Sequence, residues 1–315
     1  MSHAQTVRDL GEFRLIERLA GIVGAPGTAL GIGDDAAVVP MPGPNDLLAT
    51  TDTLVQEVHF TAGSDPYAVG RRALAVNVSD IAAMGGVPTY ALVALSLDPD
   101  VPVTWVERLY EGLRYEGERC GVAIVGGNLS RAAGPPQVTL TQLGVVPRDQ
   151  VVLRSGARIG DVLVTTGVLG RSSGLRRRGH EYVPEPRVTV ARALAERHLV
   201  HAMLDLSDGL AGDLQHMAAA SGVGAVVYEE AIPVAISARE AAADLHVDPR
   251  DIALFGGEDY ELLMAIAPEQ LAAATDVAGE IPLYSLGTIL SREHGVVIER
   301  ANGRRDPLEN GWQHF

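Results

Sequence analysis

The sequence predicts a two-domain α/β protein, each half built on a mixed sheet with helices packed against it. Three observations carry this. The chain has 315 residues, too many for one average domain and enough for two that each bury a core. In the first half the patterns run α-β-α-β-α-β-β, an order that gives a mixed sheet with helices on one face. A polar run, RDQVVLRSGARIGD (148–161), then separates this half from a second series of extended runs. The boundary is expected near residue 150, with an N-terminal domain over 1–150 and a C-terminal domain over 151–315.

The elements follow in order. Residues 8–22 place Leu10, Phe13, Ile16 and Leu19 at helical spacing. GIGDDAAVVPMPGPND (31–46) reads as irregular, and LLATTDTLV (47–55), rich in Thr, Leu and Val, as a strand. Asp65 and Pro66 supply an N-cap and a first-turn proline for a long helix through RRALAVNVSDIAAMGG (71–86), stopped by its glycines. TYALVALSL (89–97) is a strand, Pro102 opens a helix, and VAIVGG (122–127) and QVTLTQLGVV (137–146) are strands. Beyond the junction, DVLVTTG (161–167), AMLDLS (202–207), GAVVYE (224–229), YELLMAIA (260–267), LYSLGTIL (283–290) and GVVIER (295–300) read as strands with helices between them.

Composition narrows the function. The formal charge of −15 argues against a nucleic-acid or anionic-membrane partner. The single cysteine, Cys120, permits no intrachain disulfide and suits a reducing cytoplasm. No signal-peptide pattern and no membrane-spanning apolar run is expected. All 25 cationic Lys and Arg positions are arginine. Without lysine the chain holds neither a P-loop nor a protein-kinase site, and it forms no Schiff base.

Carboxylates recur where the apolar pattern would not place them. They stand in GIGDD (Asp34, Asp35), TTDTL (Asp52), NVSDIAAMGG (Asp80), LDLSDGLAGDL (Asp205, Asp208, Asp213) and FGGEDYEL (Glu258, Asp259, Glu261). Asp208 reads as a helix cap or as a ligand beside the same site. Asp80 lies on a helix apolar nearly all round, where an unpaired charge is costly; Asn77 is a candidate partner, and Arg71 and Arg72 are more than one turn away. Taken together, such carboxylates suggest convergence on hard divalent cations, Mg2+ above all, with Thr50 and Thr51 adding hydroxyl or carbonyl oxygens. Two glycine-rich stretches, VGGNLSR (125–131) and TTGVLGRSSGL (165–175), are candidate phosphate loops. Arg154 is a candidate phosphate clamp, whereas Arg176, Arg177 and Arg178 read as a solvated helix end. His59 and Trp312 are candidate substrate contacts, Trp312 by stacking.

These motifs, together with GEFRLI, TTDTLVQEVHF, RSGARIGD and GWQHF, resemble the thiamine-monophosphate kinases. They are a branch of the family that includes aminoimidazole ribonucleotide synthetase, selenophosphate synthetase and a hydrogenase maturation protein. The resemblance runs nearly end to end. It implies a homodimer of two-domain subunits whose N-terminal sheets join across the two-fold. It also implies ATP and several Mg2+ ions in a cleft, with thiamine monophosphate as acceptor. Carried over by position, Asp35, Thr50, Thr51, Asp52, Asp80, Asn128, Asp205 and Asp208 are the metal ligands. Tyr110, Gly127, Asn128, Arg154 and Ser207 are the nucleotide contacts, and His59, Glu258 and Trp312 hold the acceptor. No general base is implied. Two positions depart from the family's pattern: Asn128 stands where an aspartate is usual, and Arg171 where the glycine loop is usually acidic.

Two other readings remain open to test. A selenophosphate synthetase would call for an N-terminal Cys or selenocysteine with a Lys, and the hydrogenase maturation type for a C-terminal Cys; this chain has neither pattern. A non-enzymatic, acidic cation-binding protein leaves the glycine-rich stretches without a purpose.

Overall fold

The computed structural model describes residues 6–23 and 29–308. Strands β1 (Ala37–Pro40), β2 (Asn45–Val55), β3 (Val87–Leu97), β4 (Ala123–Arg131) and β5 (Gln137–Pro147) form one sheet in the order β1-β2-β5-β3-β4. Every pairing is antiparallel except that of β3 with β4. Period-two alternation divides its side chains between two faces. Helices Pro66–Ala83 and Val103–Cys120 cover one face, packing Val69, Leu74, Leu109 and Leu113 onto Leu54, Val93, Leu95 and Leu140. Asp65 caps the first of these helices by accepting the Tyr67 N–H at 3.0 Å. The opposite face is uncovered, and Val87, Tyr90 and Leu92 are 42%, 52% and 42% exposed.

The second sheet comprises β6 (Val162–Thr166), β7 (Ala202–Asp205), β8 (Gly224–Tyr228), β9 (Leu262–Ile266), β10 (Leu283–Leu290), β11 (Val296–Glu299) and β12 (Arg305–Pro307). Its order is β12-β11-β8-β10-β6-β9-β7. Helices Leu210–Ser221 and Pro249–Phe255 pack on one face and helices Val188–Glu196 and Leu271–Ala278 on the other. Burial on both faces is why β7 and β9 read as continuous apolar runs.

Three local expectations change. The stretch 31–46 contains β1, a strand of four residues too short and proline-flanked for periodicity to reveal. The N-terminal helix breaks at Gly11 (φ 79°) into Val7–Leu10 and Glu12–Val23. VGGNLSR is not a turn: pairing with β3 extends β4 through Arg131. Gly127 is required there, because a Cβ would lie 1.8 Å from the Val93 carbonyl oxygen.

The two halves share a core. Ala82 and Ala83, at the end of the helix Pro66–Ala83, pack with Ala191, Leu194 and Ala195 of the second half. The chain then turns at Gly85 (φ 72°), where a Cβ would meet that of Ala195 at 2.6 Å. Arg192 closes the junction by donating to the Gly85 carbonyl and the Gln150 side chain. This docking lays the helix that carries Asp80 against the end of β7. Among the described residues, no helix is long and apolar enough to cross a membrane.

Candidate active site

Carboxylates from both halves meet at this junction. Asp35 follows Gly33 in the loop before β1, and its side chain is 6% exposed. Arg154 donates to Asp35 Oδ1 at 2.5 Å, while Asp34 accepts the backbone N–H of Arg154 at 3.2 Å. Asp35 Oδ2 has no hydrogen-bond partner. On β2, the Thr50 hydroxyl donates to Asp80 Oδ2 at 2.7 Å, and the Asp52 N–H donates to Asn77 Oδ1 at 3.1 Å. Asp205 ends β7 and accepts from the Ser79 hydroxyl, one residue before Asp80. The Asp208 N–H donates to Asp213 Oδ2 at 3.0 Å.

Electrostatics shows how close these groups stand. Burial, then the charges of Asp52, Asp205 and Asp35, push Asp80 well above the usual carboxylate range. Asp35 is likewise pushed up by burial; Arg154 opposes the shift, and Asp205 and Asp34 add to it. Asp205 is raised to about 6 by burial, against the lowering effect of the Ser79 hydrogen bond. Asp213 is raised well above its ordinary value by burial, then by Asp208 and Asp205. Carboxylates crowded this way are held together at the cost of mutual repulsion.

The donor set suits a hard divalent cation. It offers carboxylate and hydroxyl oxygens only, it includes the orphaned Asp35 Oδ2, and cation charge would relieve the repulsion. Among the described residues, no group of three or more His, Cys, Asp or Glu side chains is arranged to hold a metal ion unaided. That fits Mg2+, which takes one or two carboxylates and completes its shell with water and phosphate.

Several sequence expectations resolve differently. Asn77 does not bond Asp80, since its amide is engaged by the Asp52 N–H and the Ala73 carbonyl; Thr50 takes that role. Asp208 is not the helix cap, which is Gly209 (φ 97°). The Thr51 hydroxyl points to the uncovered face and donates to the Leu140 carbonyl at 2.7 Å. TTGVLGRSSGL does not offer a free anion cradle, because Asp259 accepts the N–H groups of Gly170 and Ser172 at 2.5 and 3.0 Å. Glu261 is also structural, bonded twice by Arg187 and once by Thr166. Arg171 is exposed. Arg176 is no solvated helix end: it turns inward to Glu258 and the Val58 carbonyl. Arg178 does stay at the surface, paired with Glu240 and Asp244.

A second group stands apart from the cluster within one chain. Asn128, on β4, pairs with Ala94 of β3, and two strands separate β4 from β2, roughly 14 Å at the usual strand spacing. It shares the uncovered face with Thr51 and Thr53. Tyr110, on the helix Val103–Cys120, lines a cavity of about 820 Å³ with Ile124 of β4. Ser207 sits beside the cluster, its carbonyl accepting the Glu258 N–H at 2.7 Å. His59 Nδ1 accepts the Val55 N–H at 3.0 Å. Trp312 lies outside the described residues. Sequence reading missed Ser79, Arg72 and Tyr260 as parts of this region; for Tyr260 a signal existed in GGEDYEL, already singled out for its acids.

The family profile for AIR synthase related protein, N-terminal domain, matches residues 33–146, and that for the C-terminal domain matches 158–300. Curated thiamine-monophosphate kinases are similar over nearly their whole length. That of Escherichia coli K12 is 36% identical, covering 97% of this chain and 98% of its own. That of Mycobacterium tuberculosis is 38% identical, covering 100% and 94%. Among solved structures, AaThiL complexed with AMPPCP and TMP superposes with a TM-score of 0.87 at 32% identity over the full length of both chains. A hydrogenase maturation protein HypE in complex with ATP gives 0.73 at 25% identity, covering 93% of each. The chain belongs to the thiamine-monophosphate kinase family of AIR synthase related proteins.

Proposed function

We propose that this chain transfers the γ-phosphoryl group of ATP to the phosphate of thiamine monophosphate, giving thiamine diphosphate and ADP. The observation that carries the reading is the convergence of Asp35, Asp52, Asp80 and Asp205 from two domains beside Arg154. Near-full-length similarity to curated kinases of this specificity supports it.

An oxygen of the acceptor's phosphate forms the new bond to the γ-phosphorus, and the bond to the bridging oxygen of ADP breaks. Nucleophile and leaving group are both phosphate oxygens, so no side chain has to act as a general base. The chain's work is positioning and charge compensation. Asp35, Asp52, Asp80, Asp205 and Asp208 would hold several Mg2+ ions, which neutralise charge on the transferring group. Arg154 is poised to exchange its bond to Asp35 for a nucleotide phosphate, which a guanidinium grips with two parallel hydrogen bonds. Thr50 orients Asp80, and Ser79 favours the charged form of Asp205. Tyr110, Gly127 and Ser207 serve the nucleotide, and His59, Glu258 and Trp312 the acceptor.

The working unit in this reading is a homodimer joined through the uncovered face of the first sheet. Its apolar residues Val87, Tyr90 and Leu92 support this, since such faces on soluble domains mark contact sites. Thr51 and Asn128 share that face, so any cation they hold lies at the contact. The decisive assay combines ATP, Mg2+ and thiamine monophosphate and separates product by charge. Absence of thiamine diphosphate at high enzyme concentration would overturn the proposal.

A further inference from the structure

Outside the carboxylate cluster, two arginines converge on one glutamate. Arg72, on the helix Pro66–Ala83, donates to the His59 carbonyl and to Glu258 Oε1. Arg176, on the helix Arg171–Arg177, donates to the Val58 carbonyl at 3.2 Å and pairs with Glu258 Oε2. Each guanidinium therefore ties the turn after β2, in the first domain, to the loop before β9, in the second. Glu258 is held there in a left-handed backbone conformation (φ 60°) that a glutamate adopts only when its surroundings impose it.

Two guanidiniums share the Glu258 carboxylate, with Glu181 acting on both of them as well, in a chain whose net charge is −15 and which has no lysine. Burial, and for Arg176 also the neighbouring charge of Arg72, lowers the pKa of both groups, against the opposing effect of Tyr260 and Glu181. The corner also adjoins the metal-facing carboxylates: Tyr260 lies within the field of Asp52 and Asp205 as well as that of Arg72.

We propose that Arg72, Arg176 and Glu258 form the corner that receives the anionic end of the acceptor, with Arg176 touching it and Arg72 acting as a positioning residue. The assignment rests on the phosphotransferase reading above. Exposure divides the roles: the Arg176 side chain is 35% exposed and that of Arg72 only 5%. A guanidinium carries five N–H donors, so Arg176 retains donors beyond those given to Glu258 and Val58. Arg72 fixes the Glu258 carboxylate and the His59 turn from behind. The consequence is selectivity. A phosphorylated acceptor gains a charge-assisted contact, whereas thiamine itself, a cation without the phosphate, forgoes it.

The test compares those two molecules on the intact enzyme. Arg176→Gln should raise the KM for thiamine monophosphate about 10- to 100-fold, the worth of one hydrogen bond to a charged group. The KM for ATP should stay within about twofold, and thiamine should inhibit no less tightly than before. Arg72→Lys, which keeps the charge but loses the fork, should lower kcat and acceptor affinity together. Equal weakening of thiamine and thiamine monophosphate by Arg176→Gln would reduce the residue to a structural one and overturn the proposal, as would no change in either. Wild-type enzyme is the control: if it makes no thiamine diphosphate, the phosphotransferase reading itself falls.

Discussion

The hydroxyl of Ser79, in the first domain, donates to the carboxylate of Asp205, at the end of a strand in the second. This one bond joins a helix that carries one expected metal ligand to a strand that ends in another. It also stabilises the charged form of Asp205, which burial otherwise penalises.

Ser79→Ala should therefore weaken cation binding by letting protons compete better for Asp205. The magnesium concentration for half-maximal activity is expected to rise about fivefold, the worth of roughly 1 kcal/mol for one hydrogen bond. The effect should be larger at pH 6 than at pH 8. A midpoint that shifts equally at both pH values would show that the hydroxyl acts on packing alone.

Metal-free protein should lose stability as the medium becomes less acidic. Asp205, raised to about 6 from its ordinary 3.8, keeps its proton in the folded chain where the unfolded chain has lost it. Folding then binds protons, so stability falls as pH rises from about 4 through about 6. Asp35, Asp80 and Asp213, raised in the same direction, add to the fall. Melting in EDTA should show this slope, and saturating Mg2+ should flatten it. A melting temperature that rises with pH in EDTA would contradict the crowding of these carboxylates.

Asp52→Asn and Asp205→Asn should each reduce kcat by about 10²- to 10³-fold, the scale for losing one electrostatic stabiliser of the transition state. Neither should lower the melting temperature in EDTA, because each removes one of several repelling charges and almost no volume. Near-wild-type turnover by either variant at low magnesium would remove that residue from the site.

Leu92→Asp places a charge on the uncovered face of the first sheet without disturbing the face beneath the helices. The variant should sediment as a folded monomer at micromolar concentration and lose most activity. A fully active monomer, whether wild type or variant, would show that the contact serves no purpose in catalysis.

The sequence by itself determined the architecture and named half of the candidate site. Apolar periodicity marked ten of the twelve strands among the described residues, all but β1 and β12, and the long buried helix, because burial of one or both faces writes itself into local composition. Asp35, Asp52, Asp80 and Asp205 were legible because a carboxylate inside an apolar run has no local physical reason to be there. What each carboxylate pairs with was decided only by the tertiary structure. Ser79 reaches Asp205 across 126 positions and Arg72 reaches Glu258 across 186, separations over which no local pattern constrains a partner. The same holds for Arg176, whose neighbours Arg177 and Arg178 have the same local sequence but other partners, Ser173 for one and Glu240 for the other. One turn of a short helix against one loop of the other half sets which guanidinium turns inward.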